Sequence, residues 1–142
     1  MRHRVQKKSL NRNTKQRKAL FRSLVRSLLE HGSITTTKAK AKVLRPAVDK
    51  LLARATTASS PLIARRAVQQ YFGKRDVANT VIDRVLPAFG DKKTGFTTQS
   101  VIGKRRGDNT PLVKVSLTSI PEITGTFKKN TTTIDSSTKA QR

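Results

Sequence analysis

In a chain of 142 residues, 31 Lys and Arg stand against 8 Asp and Glu, a formal charge of +23. One compact domain suits this length, and 35% hydrophobic content furnishes a single modest core. The absence of cysteine and the presence of only two histidines, His3 and His31, exclude a disulfide scaffold and a Cys/His zinc site.

Lys and Arg gain most where they displace counterions condensed on phosphate, so nucleic acid is the partner this charge first implies. No apolar run reaches the ~18 residues of a membrane span, and Met1-Arg2-His3-Arg4 lacks the apolar stretch of a signal peptide. Membrane insertion is therefore not expected. The charge is uneven: residues 1–45 hold 14 cations and one acid, Glu30, whereas residues 46–142 hold 17 cations and 7 acids.

Residues 1–12 include Arg2, His3, Arg4, Lys7, Lys8 and Arg12, with only Val5 and Leu10 as apolar residues after Met1. An extended basic arm that orders on its partner is the expectation. Asn13 is a cap candidate with Gln16 three residues on, opening a first helix. Its apolar half holds Leu20, Phe21, Leu24, Val25, Leu28 and Leu29, and Lys15, Arg22 and Arg26 cluster opposite. A charged helix face is ordinarily just solvated, but no acid precedes Glu30 to balance this one, which favours a phosphate-facing role. His31-Gly32 ends the helix.

The β-branched Ile34-Thr35-Thr36-Thr37 reads as a strand, and Ala39, Val43, Leu44, Ala47, Val48, Leu51, Leu52 and Ala55 then recur at helical spacing. Pro46 lies inside that pattern and predicts a kink or break near 44–46. Ser59-Ser60-Pro61 opens a third helix with Ile63, Ala67, Val68, Tyr71 and Phe72 inward and Gly73 closing it. Asp76 is read as the cap of a fourth, with Val77, Val81, Ile82, Val85, Leu86 and Phe89 as its stripe.

From Gly90 the period alternates. Residues 96–102 and 112–118 are strand-like, the second with Val113, Val115 and Leu117 on one face and Lys114, Ser116 and Thr118 on the other. The turn-rich loop between them presents Lys104, Arg105 and Arg106. Residues 13–119 are thus expected to form the compact body, and residues 120–142, rich in Thr, Ser, Lys and Asn, a disordered tail. The fold class is α+β: about four helices packed on a small sheet made of one short N-terminal strand and a C-terminal hairpin, with the basic arm extended.

No phosphate-binding glycine loop of nucleotide hydrolases occurs, and the eight acids are scattered. The nearest pair, Asp76 with Asp83, is explained by a cap and a solvent-facing position. His31 reads as a helix-end residue, and His3, between Arg2 and Arg4, as a contact to phosphate or a base edge. No catalytic residue, metal, cofactor or small-molecule substrate is expected. Most of the aromatic residues, Phe21, Tyr71, Phe72, Phe89, Phe96 and Phe127, fall on core faces, so binding by backbone contact and shape is favoured over a stacking platform.

Several short words in one order carry a resemblance. They are Met1-Arg2-His3-Arg4; Leu10-Asn11-Arg12-Asn13 leading into Arg17, Ala19 and Phe21-Arg22; Ile34-Thr35-Thr36-Thr37 followed by Lys38-Ala39-Lys40-Ala41; and Gly107-Asp108-Asn109. Over residues 1–119 this pattern resembles the bacterial-type large-subunit ribosomal protein family numbered seventeen. The resemblance implies a structural protein of the large ribosomal subunit in the cytoplasm, an organellar ribosome staying open, with a strand at 33–36 joining the C-terminal hairpin. It also implies ribosomal RNA as ligand, on the solvent side near the peptide exit region, beside neighbouring ribosomal proteins. One word departs: family members often carry Gly-Gly-Tyr-Thr-Arg where this chain has Thr94-Gly95-Phe96-Thr97-Thr98, lacking the phenol and the arginine. Lys92 and Lys93 just before it are candidates to restore charge.

The residues expected to meet RNA are Arg2, His3, Arg4, Lys7, Lys8, Arg12, Lys15, Arg22 and Arg26, then Lys38, Lys40, Lys104, Arg105 and Arg106. Asn11 and Asn13 are open to reading a base edge or to turn and cap roles. A nucleoid-type architectural DNA-binding protein is the alternative, separable by duplex DNA preference and dimerisation. A small enzyme acting on RNA is a third reading, disfavoured by the lack of a paired acid site.

Overall fold

The structure, a computed structural model, describes residues 8–119. Four helices, three strands and two short helical turns follow in the order α1 (Thr14–His31), β1 (Ser33–Thr37), α2 (Lys38–Thr56), α3 (Pro61–Phe72), α4 (Arg75–Thr80), a π-turn (Val81–Val85), a 3-10 turn (Leu86–Phe89), β2 (Thr97–Lys104) and β3 (Pro111–Leu117). The fold is α+β, with the helices packed on a three-stranded antiparallel sheet of order β1-β3-β2.

Each boundary of α1 has a local cause. The Asn13 side chain accepts a hydrogen bond from the Gln16 backbone N–H at 2.9 Å, which occupies one of the donors left over at a helix start. At the other end Gly32 adopts φ 70°, a left-handed conformation that costs glycine little, and its N–H closes on the Leu28 carbonyl at 2.9 Å. The Gly32 carbonyl in turn accepts from the Leu117 N–H at 2.8 Å, fixing the end of α1 to β3.

Of the kink or break expected near 44–46, the break does not occur: helix α2 continues through Pro46. Proline lacks an N–H, so the Lys42 carbonyl loses its helical partner, but Lys42 and Pro46 are both exposed and water can take that place. Buried Leu44 and Val48 on the opposite side anchor both halves of the helix in the core.

Ser60 caps α3 and Pro61 opens it, as its sequence suggests, and Gly73 closes it. The buried face, however, consists of Ala64 and Val68, with Tyr71 and Phe72 half-buried, while Ile63 is 49% exposed rather than inward. With Ala64 and Val68 turned into the core, Ile63 falls outside the buried face of the helix. Asp76 is likewise not the cap of α4. Lys74 occupies that position, and Asp76 lies in the first turn, where a carboxylate complements the positive helix end.

The fourth helical segment is not uniform. Val77, Val81, Val85 and Phe89 are all buried, at a spacing of four. Such spacing drifts around a regular α-helix, and the wider π-turn at Val81–Val85 returns these side chains toward one face. Pro87, which cannot donate a backbone hydrogen bond, coincides with the tightening to a 3-10 turn.

In the sheet, β3 is central and pairs Thr35 with Lys114 on one side and Val101 with Val113 on the other. Its alternation is as expected: Val113, Val115 and Leu117 are buried and Lys114 is exposed. Strand β2 begins at Thr97 rather than at Phe96 and extends to Lys104, with an irregularity between Val101 and Gly103. Beyond buried Thr97 it is exposed along its length, so the hairpin projects from the body. The core joins Val25, Leu28 and Leu29 of α1, Leu44, Val48 and Leu52 of α2, Val68 of α3, and Phe96, Val113 and Val115.

Candidate nucleic-acid interface

The described cations expected to meet RNA fall into three groups. The first surrounds the start of α1. Of the expected arm, Arg2, His3, Arg4 and Lys7 lie outside the described residues, as does the expected tail at 120–142. Lys8, Asn11 and Arg12 are exposed, and residues 9–12 form a tight turn rather than an extended segment. The Arg12 N–H bonds the Ser9 carbonyl at 3.2 Å, with Leu10 at φ 54° and Asn11 at φ 50°. Two successive left-handed residues are unfavourable for side chains other than glycine and asparagine, so the turn needs outside support. Arg17 provides it: its Nη1 donates to the Arg12 carbonyl at 3.2 Å from a buried position on α1.

Sequence reasoning placed Arg17 only within a family word. The signal was nevertheless present, because Arg17 precedes Phe21, Leu24 and Leu28 at helical spacing and so sits in register with the apolar stripe. On the outer side of α1, Lys15, Lys18 and Arg22 are exposed. Arg26, expected beside them, is half-buried and lies 3.9 Å from Glu30 one turn on.

The second group marks the start of α2. Lys38 is exposed and Lys40 half-buried, with exposed Lys42 a turn further. No acid occupies the first turn of this helix. Cations at the positive end of a helix dipole repel it, and an external anion relieves both charges together.

The third group is the hairpin loop, where Lys104, Arg105 and Arg106 are all exposed. Here the structure adds a constraint. The Asp108 carboxylate accepts from Arg105 Nε at 3.1 Å, from Arg105 Nη2, from the Thr110 N–H at 3.2 Å and from Thr110 Oγ1 at 2.6 Å. Bonding from Arg105 above all, with Thr110 adding to it, holds this carboxyl well below the usual carboxylate range. Backbone bonds from Arg105 N–H to the Thr110 carbonyl at 2.8 Å and from Asn109 N–H to the Arg105 carbonyl at 3.0 Å complete the loop. Arg105 therefore shapes the loop through its bonds to Asp108, and Lys104 and Arg106 flank it.

The other singled-out residues have structural surroundings. Phe96 is fully buried and meets Phe89 edge to face at 5.2 Å, so the ring without a hydroxyl serves the core at this strand start. Asp83 pairs with Arg65 at 2.7 Å, and His31 is the exposed last residue of α1. Among the described residues no cluster of His, Cys, Asp or Glu is disposed to hold a metal, and no helix is long and apolar enough to cross a membrane.

These features define a small basic α+β protein that carries exposed cations on a helix face, at a helix start and at a hairpin tip, among other places. Residues 20–118 match the sequence profile of the family described as Ribosomal protein L17. A protein named large ribosomal subunit protein bL17 from Gemmatimonas aurantiaca is 41% identical over 117 residues, spanning 82% of this chain and 98% of that one. The protein of the same name from Thermotoga maritima is 37% identical over 123 residues, 82% of this chain and 94% of its own. This chain belongs to the ribosomal protein L17 family.

Proposed function

We propose that the chain is a structural constituent of the large ribosomal subunit that binds ribosomal RNA and fastens separate RNA segments together. Family membership supports the ribosomal setting, and the name borne by the relatives supports the large subunit. The observation that carries the binding mechanism is the presence of exposed cations both on the α1–α2 side of the body and at the projecting hairpin tip. Two such footprints let one rigid body bridge two phosphate ridges. In this reading Lys8, Arg12, Lys15, Arg22, Lys38, Lys40, Lys104 and Arg106 contact phosphate, with Arg2, His3, Arg4 and Lys7 continuing the surface along the arm. Neighbouring ribosomal proteins are the further partners.

Sedimentation of a cell lysate through a sucrose gradient tests this. Stoichiometric migration with the large ribosomal subunit, surviving a salt wash that strips loosely held basic proteins, is the expected result. Absence from that peak overturns the proposal.

A further inference from the structure

Between α1, α2 and α3 lies a groove of about 490 Å³, within the ~300–1,000 Å³ range of sites that take small ligands or single groups. Phe21 of α1 and Tyr71 of α3 contribute half-buried rings to its walls. Exposed Lys18 and Arg22 border it on α1, and exposed Lys50 and Arg54 on α2. No Asp or Glu lines it. On each helix the two cations are four residues apart, an arrangement in which like charges repel each other. The fold thus holds four cations around two aromatic rings, with no carboxylate inside the groove to relieve them.

We propose that this groove receives one unstacked nucleotide of RNA, its base against Phe21 and Tyr71 and its flanking phosphates on Lys18, Arg22, Lys50 and Arg54. The proposal rests on the RNA-binding reading above and deepens it. The charge selects a polyanion over an apolar peptide. The rings select a polyanion that also carries π faces, because a bare phosphate ridge has no use for an aromatic wall. Arg22 links the groove to the exposed face of α1, so a strand lying along that face reaches the groove without leaving the protein surface. Tyr71 already feels both influences: burial pushes its phenol above the ordinary value, and the Arg22 charge opposes that rise.

The chain has one tyrosine and no tryptophan, so its intrinsic fluorescence reports on this groove alone. The probes are a single-stranded oligouridine of about ten nucleotides, within the usual site sizes of single-strand binders, an abasic ribose-phosphate chain of the same length, and polyglutamate. End-label anisotropy follows binding of each probe independently of the tyrosine signal. Oligouridine is expected to quench Tyr71 and the abasic chain to leave it unchanged. Phe21→Leu is expected to weaken oligouridine about tenfold while leaving abasic affinity unaltered. Equal quenching and equal affinity for the two chains overturn the proposal in favour of phosphate contact alone. Quenching by polyglutamate but not by oligouridine overturns it in favour of an acidic protein segment. If a large-subunit ribosomal RNA fragment binds while Tyr71 stays unquenched, the groove assignment falls and the RNA-binding reading stands. Loss of binding to that fragment as well removes both. The wild-type fluorescence comparison holds whether or not Phe21→Leu folds.

Discussion

The Asp49 carboxylate of α2 accepts a hydrogen bond from the Phe96 backbone N–H at 3.1 Å, across 47 residues of sequence. The same oxygen accepts from Thr97 Oγ1 at 3.3 Å, so one side chain fixes the point where the chain enters the sheet. Phe96 is fully buried and Thr97 nearly so. The projecting hairpin is therefore joined to the helical layer at its base, which sets the spacing between its tip and the cations of α1 and α2.

Removing that acceptor leaves donors stranded in a poorly hydrated place. Asp49→Ala is expected to destabilise the protein by about 1–3 kcal/mol, and Asp49→Asn, which keeps an oxygen acceptor, by less. Urea denaturation followed by circular dichroism measures both. An unchanged midpoint for Asp49→Ala would show that the bond contributes nothing to folding.

Asp108 has the corresponding role at the hairpin tip. Its carboxyl is depressed by Arg105 and Thr110, so its contribution to loop order is present above the unfolded carboxylate pKa and is lost only as pH falls through the lower folded value. The loop is accordingly expected to keep its form at mildly acidic pH. Asp108→Asn should speed hydrogen exchange at the Asn109 and Thr110 amides at neutral pH while leaving Tm unchanged. Exchange measured by NMR checks this, and unaltered protection in the variant would mean that the backbone bonds suffice.

Much of this fold is legible in sequence because its signals are local. Asn13 and Gly32 bound α1 by cap chemistry, and the alternation of Val113, Val115 and Leu117 fixes the face of β3 without reference to other elements. Where neighbours decide, sequence reading goes astray. Helix α2 continues past Pro46, whose missing bond faces water, Ala64 and Val68 take the buried face of α3 and leave Ile63 exposed, and Asp76 lies in the first turn of α4 with Lys74 at the cap position. The candidate groove was hidden for the same reason. Lys18 and Arg54 belong to different helices, and nothing in either helix records their approach. The like-charged pairs Lys18–Arg22 and Lys50–Arg54 were visible as unexplained repulsion within each helix.

Arg17 supports a turn that its own residues disfavour. Replacing it with leucine keeps the apolar contact with the stripe of α1 but removes the donor to the Arg12 carbonyl. Arg17→Leu is expected to cost about 1 kcal/mol and to release the Ser9–Arg12 turn. Limited digestion with trypsin reads this directly: cleavage after Arg12 should accelerate in the variant while sites in α2 stay protected. Equal cleavage rates would show that Arg17 does not hold the turn.

Phosphate contact by the exposed cations has a quantitative signature in salt. Each phosphate neutralised contributes about 0.7–0.9 to the slope of log affinity against log salt, the lower value applying to single strands. Lys15→Gln and Arg106→Gln each remove one exposed cation, from opposite footprints, and each should flatten the slope by about that amount without changing Tm. Arg105→Gln should behave differently. It removes a cation and also leaves Asp108 unpaired in the loop, so it lowers affinity further than Arg106→Gln and additionally speeds exchange at Thr110. Filter binding of a large-subunit ribosomal RNA fragment over a salt series measures all three variants. If Arg105→Gln and Arg106→Gln prove indistinguishable in both affinity and exchange, the loop-shaping role of the Arg105–Asp108 pair is lost.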